Sequence, residues 1–188
     1  MYECISGIKP QIEQAIQLLN ECYRNGGKIL VCGNGGSCAD ADHIITELAK
    51  GFKLKRPVDA NLPFSARLQG GMPAINLGAH SALMTAIIND LGADVMFAQQ
   101  VWVYGNPGDV LIGISTSGSA ENVLNSAAAA KARGMKTILF TGAHDGMNNG
   151  KFDILIKAPS TVTSEIQDIH SAVYHMICAE WEATNWSE

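Results

Sequence analysis

Short apolar runs alternate along the chain with longer stretches in which apolar residues return every three or four positions. The runs Ile29 to Cys32, Pro73 to Leu77, Asp109 to Ile114, Lys136 to Phe140 and Asp153 to Lys157 predict five short buried strands. The first helical stretch, Ile5 to Tyr23, carries Ile8, Ile12, Ile16, Leu18, Leu19 and Cys22 near the helical period, and Asn25, Gly26 and Gly27 end it. Further helices are expected after Gly36 as far as Gly51, over Ser81 to Ile88, over Ala93 to Tyr104 with Val95, Phe97, Val101 and Val103 inward, over Glu121 to Arg133, and from about Ser164 to Thr184. Strands that alternate with helices imply a parallel sheet covered on both faces. Right-handed crossovers then make the fold class α/β, a doubly wound five-stranded parallel sheet with N-terminal and C-terminal packing helices, in one domain over residues 1–188. Between Lys53 and Met72 the periodicity is lost around Pro57, Pro63, Gly70 and Gly71, and an irregular segment of that length is usually functional or covers an interface.

Composition narrows the partners. Hydrophobic residues make up 47% of the chain and charged residues 16%, more apolar surface than a monomer needs, so self-association is expected. A net charge of −5 is the wrong sign for holding nucleic acid by its phosphates. Cys4, Cys22, Cys32, Cys38 and Cys178 are odd in number and show no C-x-x-C spacing, as reduced thiols do, and no run of 18 apolar residues predicts a membrane span. A cytoplasmic location is the expectation, with no membrane partner.

The candidate chemistry lies where strands end. After the first strand the chain reads Gly33-Asn34-Gly35-Gly36, residues that tolerate a sharp left-handed turn, and the helix that follows presents free N–H groups to an anion, with Ser37 or Asp40 available as its cap. Four apart on that helix, His43 and Glu47 share one face, spaced either for a metal ion or for an ordinary surface hydrogen bond. After the third strand come Ser115, Thr116, Ser117 and Ser119, four hydroxyls in five residues, which suit a phosphate cradle or a capped turn. On the last helix Gln167 and His175 lean toward one side. Alternatively His170 and Tyr174 form the important stripe and His175 is a core histidine bonded to a carbonyl, while His144 reads as a loop histidine.

CGNGGS at 32–37, HIITEL at 43–48, Arg56-Pro57, IND at 88–90, GDVLIGISTSGS at 108–119, LFTG at 139–142 and IQDIHSAVYH at 166–175 together resemble the SIS-domain sugar-phosphate family, and are most similar to its sedoheptulose 7-phosphate (phosphoheptose) isomerases. The resemblance implies one zinc ion per subunit on His43, Glu47, Gln167 and His175. It implies sugar-phosphate contacts from Asn34, Gly35, Gly36, Ser37, Glu47, Asn89, Asp90, Ser115, Thr116, Ser117, Ser119 and Gln167. A homotetramer with shared active sites is implied as well. Aldose–ketose isomerisation through an enediol needs a base and an acid, and Glu47 and His175 are expected in those roles. Ala120, Ser164 and Gly51 stand where members of the family often carry a serine, an acidic residue and an arginine. A related type with the same fold binds the bacterial replication initiator as a non-catalytic scaffold, and others sense phosphosugars, but the scaffold type does not keep the Glu47 and His175 pair.

Overall fold

The computed structural model describes residues 3–59, 61–144, 146 and 150–186. Its sheet has five parallel strands in the order β2-β1-β3-β4-β5: β1 (Ile29–Gly33), β2 (Ala74–Asn76), β3 (Val110–Ile114), β4 (Lys136–Thr141) and β5 (Ile154–Lys157). Side chains alternate across the pleat. Ile29, Val31, Val110, Ile112, Ile114, Ile138, Phe140 and Ile156 pack on one face against α1 (Lys9–Arg24), α2 (Gly36–Ala49) and α6 (Thr163–Asn185). Leu30, Cys32, Leu111, Leu139 and Leu155 pack on the other against α3 (Ser81–Asp90), α4 (Met96–Tyr104) and α5 (Glu121–Ala132). With both faces covered, the central strands β1 and β3 are apolar and buried throughout, which is why continuous apolar runs marked them. The doubly wound parallel fold is therefore as the sequence implied.

Three local expectations are corrected. Neither Ser37 nor Asp40 caps α2: the helix starts at Gly36 behind an N-cap glycine, Gly35, with no side-chain cap, and Ser37 is already buried in its first turn. Val103 does not face inward, being 61% exposed on the solvent side of α4, where Phe97 and Val101 supply the core. His170, not His175, is the core histidine: it is 1% exposed, its Nε2 lies 3.1 Å from the Thr141 carbonyl, and burial holds its pKa down at about 4.

The irregular segment is tied down at both ends. Gly70 N–H donates to the Arg56 carbonyl (2.7 Å), and Pro57 bridges antiparallel to Gln69. Its apolar residues Leu62, Phe64 and Leu68 remain exposed.

Candidate active site

In a parallel sheet of this order the chain turns one way out of β1 and the other way out of β3, leaving a crevice at the carboxyl ends of those two neighbours. Gly33 pairs with Ile114, so the loops beginning at Asn34 and Ser115 leave the sheet side by side. Gly35 takes φ 57° and ψ −122°, a conformation closed to L side chains, and thereby swings α2 back over the sheet. Neither α2 nor α5 has a side-chain cap, so both present amino termini to the crevice without a competing acceptor. The loops are joined by a reciprocal amide pair: Asn34 Nδ2 donates to Asn122 Oδ1 (2.9 Å) and Asn122 Nδ2 to Asn34 Oδ1 (3.0 Å).

The hydroxyl loop folds on itself. Ser117 Oγ accepts from both the Ser119 hydroxyl (2.9 Å) and the Ser119 N–H (3.3 Å), and Ser115 Oγ stands 3.5 Å away. Thr116 and Ser117 also line a cavity of about 240 Å³ with His144, Ser160, Thr161, Thr163 and Ile166. From α6 the Gln167 side chain rests against Gly36, so closely that a Cβ at that position would collide with its Nε2. Gln167 thus meets the glycine loop, and any side chain at Gly36 would have to displace its amide.

One layer behind the loops, α2 and α6 bring His43, Glu47 and His175 together. His43 Nε2 lies 3.1 Å from Glu47 Oε1 and 3.2 Å from His175 Nε2, and one ligand atom from each of the three residues falls within 4.8 Å of the others. In a tetrahedral zinc site with Zn–N bonds of about 2.0–2.1 Å, two ligand nitrogens stand about 3.3 Å apart. The two imidazoles meet at that separation, and a donor set of two nitrogens and a carboxylate is the chemistry zinc selects, so the residues fit the ion. Phe52 stacks on the His175 ring (5.6 Å between centroids, 19°). Burial, His43 and Lys53 together hold the His175 pKa below its ordinary value while Glu47 pulls it up.

The backbone under Glu47 is held by a side chain with no exposure at all. Arg56 donates through Nη2 to the Glu47 carbonyl (2.8 Å), through Nη1 to the Leu48 carbonyl (2.7 Å) and through Nε to Glu182 Oε1 (2.8 Å). It thereby supplies both a cation and donors to the carboxyl end of α2, and its guanidinium lies over the rings of both Trp181 (5.1 Å) and Trp186 (5.0 Å). Glu182 also accepts the N–H groups of Phe52 (2.7 Å), Lys53 (2.7 Å) and Leu54 (3.0 Å). Burial alone would raise its pKa; those three donors and Arg56 outweigh burial and hold it down.

Asn89 and Asp90 are not brought to this place within the subunit. They end α3, hydrogen-bond to each other (2.7 Å), and Asp90 lines an apolar groove with Leu83, Ile87, Leu91 and Val103.

Residues 3–142 match the SIS domain family, and the chain is 40% identical over 179 residues to a phosphoheptose isomerase of Roseiflexus sp. (strain RS-1), spanning 95% of this chain and 84% of that one. This chain belongs to the phosphoheptose isomerase family of SIS-domain proteins. Solved phosphoheptose isomerases superpose closely on it. That from Neisseria gonorrhoeae has a TM-score of 0.83 at 34% identity, covering 97% of this chain and 90% of its own; that from Francisella tularensis has 0.85 at 33%, covering 96% and 89%. As a member of the phosphoheptose isomerase family the chain is an isomerase. Several residues that build this site escaped sequence reasoning. Asn122 sits inside an ordinary helix start and Phe52 just ahead of the irregular segment; Tyr174 and Arg56 were singled out as a stripe residue and a motif residue, but their partners Asp40 and Glu182 lie 126 or more residues away, where no local spacing signals the pairing.

Proposed function

We propose that the chain interconverts the ketose and aldose forms of a phosphorylated sugar, with sedoheptulose 7-phosphate and D-glycero-D-manno-heptose 7-phosphate as the pair, in the supply of heptose precursors. The observation that carries this reading is the meeting of Glu47 and His175, a base and an acid from two distant segments, at one cluster behind the anion-binding loops. The phosphate lies on Ser115, Thr116, Ser117 and Ser119 and the amino terminus of α5, and the sugar runs along Asn34, Gly35, Gly36, Ser37 and Gln167 toward that cluster.

Glu47 takes a proton from C1 of the ketose, the electron pair moves into the C1–C2 bond, and His175 gives a proton to the C2 oxygen, producing the enediol. Proton return to C2 with loss of the O1 proton gives the aldose, and no atom is gained or lost. His43, Glu47 and His175 would hold zinc, which supplies Lewis-acid polarisation of the substrate carbonyl and hydroxyl, while Gln167, expected as a fourth ligand, rests against Gly36 at the glycine loop in this subunit. Glu47 is 9% exposed, a partly dry place where charge interactions are stronger than in water.

The phosphoheptose isomerase reading includes a homotetramer in the cytoplasm with sites shared between subunits. It is supported by Asn89 and Asp90, whose side chains among the described residues hydrogen-bond to each other, and by Ile88, Leu91, Trp102 and Val103, apolar residues exposed on α4 and at the end of α3. A neighbouring subunit seated there receives Asn89 and Asp90 at its crevice. Metal analysis together with turnover of a panel of ketose phosphates tests the function, and light scattering tests the assembly. One zinc per subunit, preferential turnover of the heptulose and an 80 kDa particle, from four copies of roughly 20 kDa, are expected. A zinc-loaded protein that isomerises no ketose phosphate overturns the function, and a monomer at micromolar concentration overturns the shared site.

A further inference from the structure

Tyr174 reaches the histidine cluster from the core. Its ring is 3% exposed, yet its hydroxyl meets three polar groups: Ser171 Oγ donates to it (3.1 Å), His43 Nδ1 lies 3.0 Å away and Asp40 Oδ1 lies 3.4 Å away. A phenol has one proton to give, and an ionised carboxylate can only accept. When the Tyr174 proton goes to Asp40, the phenol oxygen is free to accept from His43 Nδ1–H. That fixes the proton of His43 on Nδ1 and leaves a lone pair on Nε2, the atom facing Glu47 and His175 at 3.1 and 3.2 Å. When the phenol proton goes instead to His43 Nδ1, the imidazole proton moves to Nε2, which then donates to Glu47 and cannot bind a cation.

We propose that Tyr174 is a positioning residue that sets the tautomer of His43, with Asp40 as the acceptor that orients the phenol. The inference rests on the metal reading above and concerns a residue that touches neither substrate nor ion. The chain Asp40–Tyr174–His43 resembles in its logic the carboxylate that commonly backs a metal-binding histidine, with a phenol interposed. The interposition has a geometric reason. Asp40 and His43 lie three apart on α2, and the bridge between them is supplied by the facing helix, so the tautomer is right only when α2 and α6 are packed in register.

Tyr174→Phe in the full chain removes the hydroxyl and keeps the ring. Zinc affinity, measured by competition with a chromophoric chelator, is expected to fall roughly 10- to 100-fold, the usual cost of losing such a partner. In ¹⁵N NMR of the zinc-loaded proteins, His43 should carry its proton on Nδ1 with that resonance shifted in the variant. Thermal unfolding controls for a lost fold. Asp40→Asn, which keeps an oxygen acceptor and leaves the core ring untouched, should weaken zinc binding less, and the double variant no more than Tyr174→Phe alone. Wild-type zinc affinity and an unshifted His43 resonance in Tyr174→Phe would overturn the positioning role while leaving the metal reading intact. Wild-type protein that takes up no zinc would sink the metal reading, and this inference with it.

Discussion

Two glutamates lie along the seam between α2 and α6, and their surroundings are opposite. Glu182 has no exposure and both its oxygens are occupied, by three backbone N–H groups and Arg56. Glu47, at 9% exposure, has one hydrogen-bonding or ion-pair partner among the described residues, His43, a group whose proton can be elsewhere. The first arrangement is closed: no further donor is needed, and the carboxylate serves only to lock residues 52–54 and Arg56. The second is a carboxylate largely withdrawn from bulk water whose only protein partner among the described residues is His43, so that lone pairs remain for a proton or a cation. Burial is shared by the two, so burial does not separate scaffold from chemistry here; the count of satisfied lone pairs does.

The largest effect should come from breaking the closed site. Arg56→Ala leaves the Glu182 charge buried and the Glu47 and Leu48 carbonyls unpaired, and should cost about 3–5 kcal/mol in denaturant unfolding. Replacing Arg56 and Glu182 together by apolar residues should not restore stability, because the N–H groups of Phe52, Lys53 and Leu54 would remain orphaned. Recovery of wild-type stability in that pair would show the clamp to be no more than an ion pair.

The open site should behave the other way. Glu47→Gln should leave the melting temperature and assembly nearly unchanged while turnover falls at least about a hundredfold, since a positioned base commonly contributes 10²–10⁴-fold. His175→Gln should show a similar loss, and the double variant less than the product of the two, because base and acid act as one unit. Zinc content must be measured on each, as a lost ion would imitate a lost base; wild-type turnover in Glu47→Gln removes it from the chemistry.

On α6, ahead of His175 and Glu182, sits His170, buried and neutral. Its pKa of about 4 in the fold, below the ordinary 6.5, means that the unfolded chain gains a proton first as pH falls. Stability is therefore lost from about pH 6.5 down to pH 4, by about 2 kcal/mol at pH 5. Denaturant titrations of wild type and His170→Gln at pH 7 and pH 5 should differ in slope accordingly, with the variant flatter.

The smallest change is expected at the phosphate end. Ser117→Ala removes a contact felt equally before and during the reaction, so KM for the sugar phosphate should rise roughly tenfold with kcat little altered. A loss confined to kcat would move Ser117 into the chemistry.

The sheet was legible in the sequence because strands buried on both faces announce themselves as unbroken apolar runs, and the two loops because glycine and clustered hydroxyls are costly inside regular elements. His43 and Glu47 were legible from their spacing on one helix. What joins them was not. From residue types alone His170 and His175 were interchangeable, and only the packing of α6 makes one the carbonyl-bonded core group and the other a member of the cluster. Val103 failed for a related reason: its apolar side chain fitted the period of α4, but that helix exposes the face it lies on. Asn89 and Asp90 were found by motif, and among the described residues their side chains hydrogen-bond to each other at the end of α3.

The reciprocal amide pair of Asn34 and Asn122 has a consequence for anyone who would re-engineer this crevice. Each asparagine is both lock and key for the other, so the width of the opening belongs to neither loop. A glycine loop transplanted from a relative with a larger or smaller sugar would arrive without its mate, leaving one amide facing a side chain it cannot match. Substrate range in this protein should therefore be altered by exchanging residues 34 and 122 together, and libraries that vary one loop at a time will sample mostly mismatched mouths.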